Sequence, residues 1–274
     1  MNQLSRILLW AFCLCIPIDI FAQSGHYKNG ADAFGRADAS VTDSDSWSLY
    51  NNVGALSDHE QDISVTFAYR NFHSILDLYS TAAGLNCPLG PFNTSLGFFR
   101  FGNEVFNEQS IILGIGHKIR HTSLGISLHY VQIRGEQIGK SEALAISFGG
   151  LTKISRELSV GGYVFNLNQT KISRISGEKL PTVMTMGVKY EVANFKVNLE
   201  AGKELDYNIT FRSGVEYSIK KKMSIRTGII TVPFSSSYGL GFHTGKFIID
   251  YGLRRSGILG ISHMISVVFK VKTY

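Results

Sequence analysis

The chain has little with which to brace itself covalently. It carries three cysteines, and Cys13 and Cys15 fall in a leader-like N-terminus. Removing that leader leaves Cys87 alone, so an exported form has no internal disulfide and must hold together by packing. Cys87 itself reads as a small apolar filler. No apolar run of about 18 residues follows the leader, which excludes a transmembrane helix. Charge is also sparse: 18% of residues are charged, and a net charge of +6 comes from scattered basic residues. No arm or helix collects them to track phosphates, which argues against a nucleic-acid partner. Glycine and aromatics, by contrast, are plentiful, with 28 Gly, 18 Phe and 12 Tyr.

The leader is MNQLSRILLWAFCLCIPIDIFAQ. Arg6 supplies the basic start, Ile7 to Ile20 the apolar stretch, and the segment ends at Ala22-Gln23. This predicts a secretory signal peptide over residues 1–22. A lipoprotein signal fits less well, because Phe12 rather than a small residue precedes Cys13.

From Ile63 onward the apolar period is close to two. TSLGISLHY sets Leu124, Ile126, Leu128 and Tyr130 against Gly125, Ser127 and His129. MTMGVKY, FKVNLEAG and ITFRSGVEYSIK behave alike, with Met186, Leu199 and Phe211 on the apolar face. A soluble sheet with one wet face also alternates. Three features favour a membrane barrel instead. The strands run to roughly 10 residues, the length that crosses a bilayer with tilt. One face is almost wholly apolar while the other mixes charge with glycine, and Tyr and Phe gather near strand ends. No second apolar set is left to cover the first, so lipid is its expected cover.

Fourteen strands are expected, near 63–70, 75–88, 94–101, 108–118, 121–133, 141–152, 157–166, 182–191, 195–202, 208–219, 223–231, 236–243, 246–253 and 258–272. The second of these has an ambiguous, helix-like start. Connections after odd strands include GNEVFNE, RGEQIGKS and the long stretch from Leu167 to Pro181. Those after even strands include KIRH, KISR, EVAN, KKK and HTG. Long loops at one end and tight turns at the other match the outer-membrane arrangement, with the turns in the periplasm. The expected fold is thus all-β: a transmembrane antiparallel barrel over residues 63–274, preceded by an N-terminal unit over residues 23–62 on the periplasmic side.

That unit contains DSWSLYNNVGAL. Thr42 or Asp43 is placed to cap a short helix from Ser44 to Tyr50, with Asp45 favourable near its start. Asn51, Asn52 and Gly54 suit a tight or left-handed turn. Trp47 and Tyr50, three apart on one helical face, are placed to pack inside the wall. The stretch reads as a small helical hatch, or plug, in the lumen. Lys189, Lys196, Glu200, Arg212, Glu216, Arg226, Asp250 and Arg254 fall on the inward parity as lumen-lining residues. They serve either as a cross-strand ion network or as a polar permeation path. The turns at Lys118–Arg120, Lys153–Arg156 and Lys220–Lys222 make the periplasmic rim basic.

Residues Gly30, Ala31, Gly35, Ala37, Asp43, Trp47, Asn51, Asn52 and Gly54 carry a resemblance. The stretch GADAFGRADASVTDSDSWSLYNNVGAL resembles the N-terminal signature of the long-chain fatty-acid transporter (FadL-like) superfamily of outer-membrane barrels. It is closest in flavour to the PorV and PorQ proteins of Bacteroidetes. The resemblance implies the outer membrane of a Gram-negative bacterium. It also implies one of two roles. The first is an accessory of a type IX protein secretion system that docks other outer-membrane or periplasmic proteins, favoured by short loops and the lack of an apolar capture groove. The second is passive transport of a small hydrophobic compound. An exported all-β protein with a structural or adhesive role is a third reading.

Catalytic chemistry is not expected. His117, His121 and His129 are close in sequence, with His117 and His129 assigned to the inward parity, but no carboxylate follows at a metal-ligand spacing. No Gly-x-Ser-x-Gly elbow surrounds the serines of DSDSW. The glycines of residues 30–38 do not follow a strand, which excludes a dinucleotide loop. No catalytic residue, metal or cofactor is expected, and the chain does not read as an enzyme.

Overall fold

The computed structural model describes residues 27–58, 62–75, 77–136, 139–172, 180–257 and 259–271. The leader expected over residues 1–22 lies outside the described residues. Fourteen antiparallel strands form a closed ring in which each pairs with its neighbours in sequence. The strands are β1 (Ile63–Asn71), β2 (Tyr79–Leu89), β3 (Phe92–Gly102), β4 (Phe106–Ile119), β5 (Thr122–Gly135), β6 (Gly139–Lys153) and β7 (Leu158–Phe165). Then follow β8 (Val183–Val192), β9 (Phe195–Glu204), β10 (Thr210–Ile219), β11 (Met223–Ile230), β12 (Ser235–His243), β13 (Phe247–Ser256) and β14 (Gly260–Val271). Closure is made by β1 against β14, from Ile63 opposite Val271 to Asn71 opposite His263.

The two-residue period sorts side chains as alternation requires. Leu124, Ile126, Leu128 and Tyr130 face outward and exposed, while Ser127 and His129 are buried inside. Met186 and Leu199, 68% and 57% exposed, belong to an apolar belt that runs round the outside. Monomeric soluble proteins rarely expose a contiguous apolar patch above about 300–600 Å². Aromatics flank the belt: Phe92, Phe195, Tyr217 and Phe242 at one end, Tyr69 and Phe211 at the other.

The end carrying the connections after even strands is bounded by tight turns, and Arg120, Ala193, Lys220 and Lys221 adopt positive φ there. The opposite end, the mouth, differs from expectation. GNEVFNE and RGEQIGKS are mostly strand, because β4, β5 and β6 extend through them and leave only residues 103–105 and 136–138 between strands. Their polar residues continue the ladder, with Asn107 opposite Arg134 and Arg134 opposite Lys140. Only residues 72–78, 166–182 and 205–209 form longer connections. The first of these takes up the ambiguous start of the second strand: a turn closes from Phe72 to Ile75 before β2 begins at Tyr79.

Inside the ring lies the segment before β1. It holds α1 (Ala31–Gly35), α2 (Ser48–Asn51) and a 3₁₀ turn (Val53–Asp58). Inward glycines make room for it. A Cβ on Gly125 would sit 2.2 Å from the Val53 carbonyl oxygen, and one on Gly214 would sit 2.6 Å from that of Arg36. Much of the glycine content therefore belongs to the inner wall. The segment is not confined to the turn end: it reaches from Tyr27 at the mouth to Asp58 near the turns.

The belt sets a test. Leu199→Arg places a charge mid-strand on the outer face. With hydrocarbon as cover, urea unfolding from lipid vesicles should show a loss of about 2–4 kcal/mol. A water-covered face would tolerate the change to within about 0.5 kcal/mol.

Candidate functional site

The N-terminal segment meets two unlike walls. Along β3 to β6 the contact is apolar. Leu49 and Val53 lie over Gly114, and the Tyr50 hydroxyl shares its one proton between the carbonyls of Ala83 and Phe98, at 2.6 and 2.8 Å. Trp47 packs against Tyr50, with ring centroids 6.1 Å apart, and covers Gly30, whose φ of 100° and lack of Cβ let the indole approach. Of the tight or left-handed turn expected at Asn51 and Asn52, neither residue is left-handed, and a tight turn closes from the Ala55 N–H to the Asn52 carbonyl at 2.9 Å. Asn51 is helical and Asn52 extended, and both work through their side-chain amides. Asn51 exchanges two hydrogen bonds with the Asn29 backbone, at 2.9 and 3.0 Å. Asn52 donates to the carbonyls of Val41 and Gly150 and accepts from Gly54 N–H. Gly54 serves close approach: a Cβ there would meet Gly149 at 2.2 Å.

The helix also starts later than expected. Asp45, not Thr42 or Asp43, accepts the Trp47 N–H at 2.8 Å, and the first helical residue is Ser48. Asp43 is drawn away by Arg36, which it meets at 2.6 Å. Left-handed backbone occurs instead at Ala37 and Asp38, both with φ of 59°.

Along β9 to β13 the contact is ionic. Glu200, 4% exposed, meets Lys28 at 2.5 Å and Arg212 at 3.2 Å, and accepts the backbone N–H groups of Ser40 and Val41. Glu216 meets Arg226 at 2.6 Å, Lys196 at 3.4 Å and Arg36 at 3.5 Å. Arg226 continues to Asp250 at 2.6 Å, and Arg254 reaches Asp38 at 2.7 Å. Lys189 lies outside this web and pairs with Glu191 at 3.4 Å. The eight inward charges read from the alternation lie on the inner face, and seven of them join the segment in three clusters, around Glu200, Glu216 and Arg254. Lys28, Arg36, Asp38 and Asp43, which supply the segment's side of these clusters, were missed. They belong to an irregular stretch where no period assigns a face.

The histidines are spread apart. His129 is buried, bonded to Ser127 and edge-on to Phe165. His117 is on the outer parity, not the inner one: it pairs with outward Leu124, and its ring nitrogen lies 2.8 Å from the Pro91 carbonyl. The inward residues of β4 are its even-numbered ones, Ile112, Gly114 and Gly116.

At the mouth a cavity of about 550 Å³ opens over the segment. Tyr27, Lys28 and Asp38 form its floor, and Arg70, Phe72, Arg212 and Arg254 stand in its wall. Tyr27 stacks on Phe99 and Phe101 at 5.1 and 5.2 Å. At the other end, Asp58 meets Lys118 at 2.6 Å and Lys153 at 2.7 Å. Two lysines of the basic rim therefore hold the segment's end. Burial raises the Asp58 carboxyl, but the hydrogen bonds from Lys118 and Lys153 outweigh it and leave the group below its ordinary value.

Glu200→Gln removes the charge that Lys28 and Arg212 share. It should destabilise the fold by about 3–5 kcal/mol in urea titration, since each cation loses its buried counter-ion. Asp58 gives a pH signature. A carboxyl held below its ordinary 3.8 contributes stability that is fully present above that value and lost as pH falls through the folded value. The stability difference between the wild type and Asp58→Asn should be on the order of 1 kcal/mol, level from pH 7 to 5, and shrink progressively as pH falls below 3.8.

Comparison of the sequence with protein families and with curated proteins gives no match. Solved structures do match. The chain is similar to the CymD monoaromatic hydrocarbon channel, at 11% identity and a TM-score of 0.68, over 92% of this chain and 99% of that one. It is similar to a Pseudomonas aeruginosa FadL homologue at 12% identity and a TM-score of 0.65, over 88% and 98%. It is also similar to the Pseudomonas putida toluene transporter TodX at 10% identity and a TM-score of 0.62, over 90% and 98%. At these identities the likeness shows the fold.

Proposed function

We propose that the protein is a FadL-like outer-membrane barrel that lets small, largely apolar molecules cross by passive diffusion, with residues 23–62 as a plug. The observation that carries this reading is the mouth cavity of about 550 Å³ floored by the N-terminal segment. A pocket of that size suits a small molecule. The similar solved structures are a hydrocarbon channel, a FadL homologue and a toluene transporter, which supports passage rather than docking. A role as a PorV- or PorQ-like accessory of a secretion machine gains no support from them. The outer belt, with aromatics at both ends, supports an outer-membrane site. Hatch residues Tyr50, Asn52 and Gly54 hold the plug to the apolar wall, Trp47 and Asn51 brace it internally, and Glu200, Glu216 and Arg254 tie it to the other wall.

In planar bilayers the intact protein should be silent to ions, and deletion of residues 23–62 should open a steady conductance. Vesicles containing the intact protein should take up a neutral aromatic dye faster than empty ones. Silence of both forms while folded, with no added uptake, would count against a transport role.

A further inference from the structure

We propose that the outer face of β2 to β6, at the mouth end, binds a phosphorylated glycolipid of the outer leaflet. Its phosphates sit on Arg100 and Arg134, and an acyl chain lies in the groove beneath them. The site goes beyond the channel reading and stands without it. It requires only that the mouth face the cell exterior, with the tight turns in the periplasm.

Strand register sets the outward side chains in rows. Arg100, Gln109, Gln132 and Glu142 lie opposite one another across four strands. Two residues nearer the turns, Phe67, Ala83, Phe98, Ile111 and Tyr130 form the next row. Phe67 and Phe98 are exposed, and the small Ala83 between them leaves a gap. A groove of about 400 Å³ opens there, with Arg100, Gln109 and Gln132 at its upper edge. A second, of about 520 Å³, continues down the same strands, where Cys87 and Thr94 are small. From Arg100 to Thr94 the two cover roughly 20 Å of β3, more than half of a hydrocarbon core about 30 Å thick. The ladder beneath is unbroken from Ser80 opposite Phe101 to Leu89 opposite Phe92, so the groove is a feature of the wall's surface. Its length and apolar lining suit an acyl chain.

The charge above the groove selects the head. Lys140 is already paired with Glu142, at 2.6 Å. Arg100 and Arg134 are exposed and form no ion pair among the described residues. Arg134 lies two strands across from Arg100 and one row higher, which puts their Cα atoms roughly 12 Å apart. A guanidinium grips phosphate through paired N–H donors. Two of them at that span suit a disaccharide with a phosphate at each end, whereas a lipid with one phosphate engages only one. Gln109 and Gln132 lie between the arginines, where their amides meet sugar hydroxyls.

The test titrates the full chain in detergent with bisphosphorylated lipid A, monophosphorylated lipid A and phosphatidylglycerol, and reads bound lipid by native mass spectrometry. Heat-modifiable gel mobility reports that each variant is folded. The wild type should hold the bisphosphorylated form about tenfold more tightly than either one-phosphate lipid, the scale of one charge-assisted contact. Arg100→Gln combined with Arg134→Gln should remove that preference. Ala83→Phe, which fills the gap, should weaken lipid A binding and keep the preference. Arg255→Gln, which removes an exposed cation on β13 at the same end, should change nothing. Equal affinity of the wild type for all three lipids would overturn the proposal and leave only general attraction of anions. So would an equal loss in Arg255→Gln and the double variant, or unchanged lipid A binding in Ala83→Phe.

Discussion

A backbone surrounded by apolar cover can leave no N–H or C=O unpaired, and a closed ring of strands meets that demand without an edge. Closure by β1 against β14 fixes the strand number, and the strand number fixes the width. Fourteen strands enclose more space than their own inward side chains occupy. The N-terminal segment takes up that space, and the inner wall is written to receive it. Irregular chain inside a closed lumen has backbone groups that no ladder serves. They are served by the wall: Glu200 accepts from Ser40 and Val41, Ser266 accepts from Ala31, and Asn86 and Asn93 donate to the carbonyls of Ser46 and Leu56. The polar inner face follows from this need.

The interior is divided lengthwise for the same reason. On the β3 to β6 side the segment brings α2 and the 3₁₀ turn, whose apolar residues seat against glycine. On the β9 to β13 side it brings α1 and residues 36–43, which are charged and meet charge. A buried ion pair gains little net stability over an apolar substitute, but losing one partner is costly. What the pairs supply is register. Arg36 can satisfy Asp32, Asp43 and Glu216 together in only one seating of the segment.

The strands were legible because a period of two assigns every residue to a face. It placed Glu200, Glu216, Arg226 and Asp250 inside with no structure at hand. His117 departs from this reading because the inward residues of β4 are its even-numbered ones, so a histidine with the same parity as His129 faces outward. The mouth was less legible, since polar residues such as Asn107 and Arg134 read as loop but continue the ladder beyond the apolar belt. In the N-terminal segment only the placement of Trp47 and Tyr50 could be read. Asn51 and Asn52 have residue types typical of turns, yet here their side chains tie distant backbone together. Arg70 lies at the end of β1, where parity gives a face but not the rings beneath it. Phe34, one of those rings, comes from a segment with no period, so its contact with Arg70 emerges only in three dimensions.

On the proposed reading, the route past the segment is constrained by where its ties lie. Lys28 to Glu200, Arg36 to Glu216, Asp38 to Arg254, and Asp58 to Lys118 and Lys153 all join segment to wall. They occur along its whole length, so ejecting it as one body breaks them together and strands several charges at once. The cost is unequal along the segment. At the mouth, Lys28 shares its counter-ion with Arg212, which keeps Glu200 paired if Lys28 moves. Tyr27 is held by ring stacking, a contact that an aromatic solute can replace in kind. Local movement of the cavity floor is therefore the least costly way for this lumen to admit a solute.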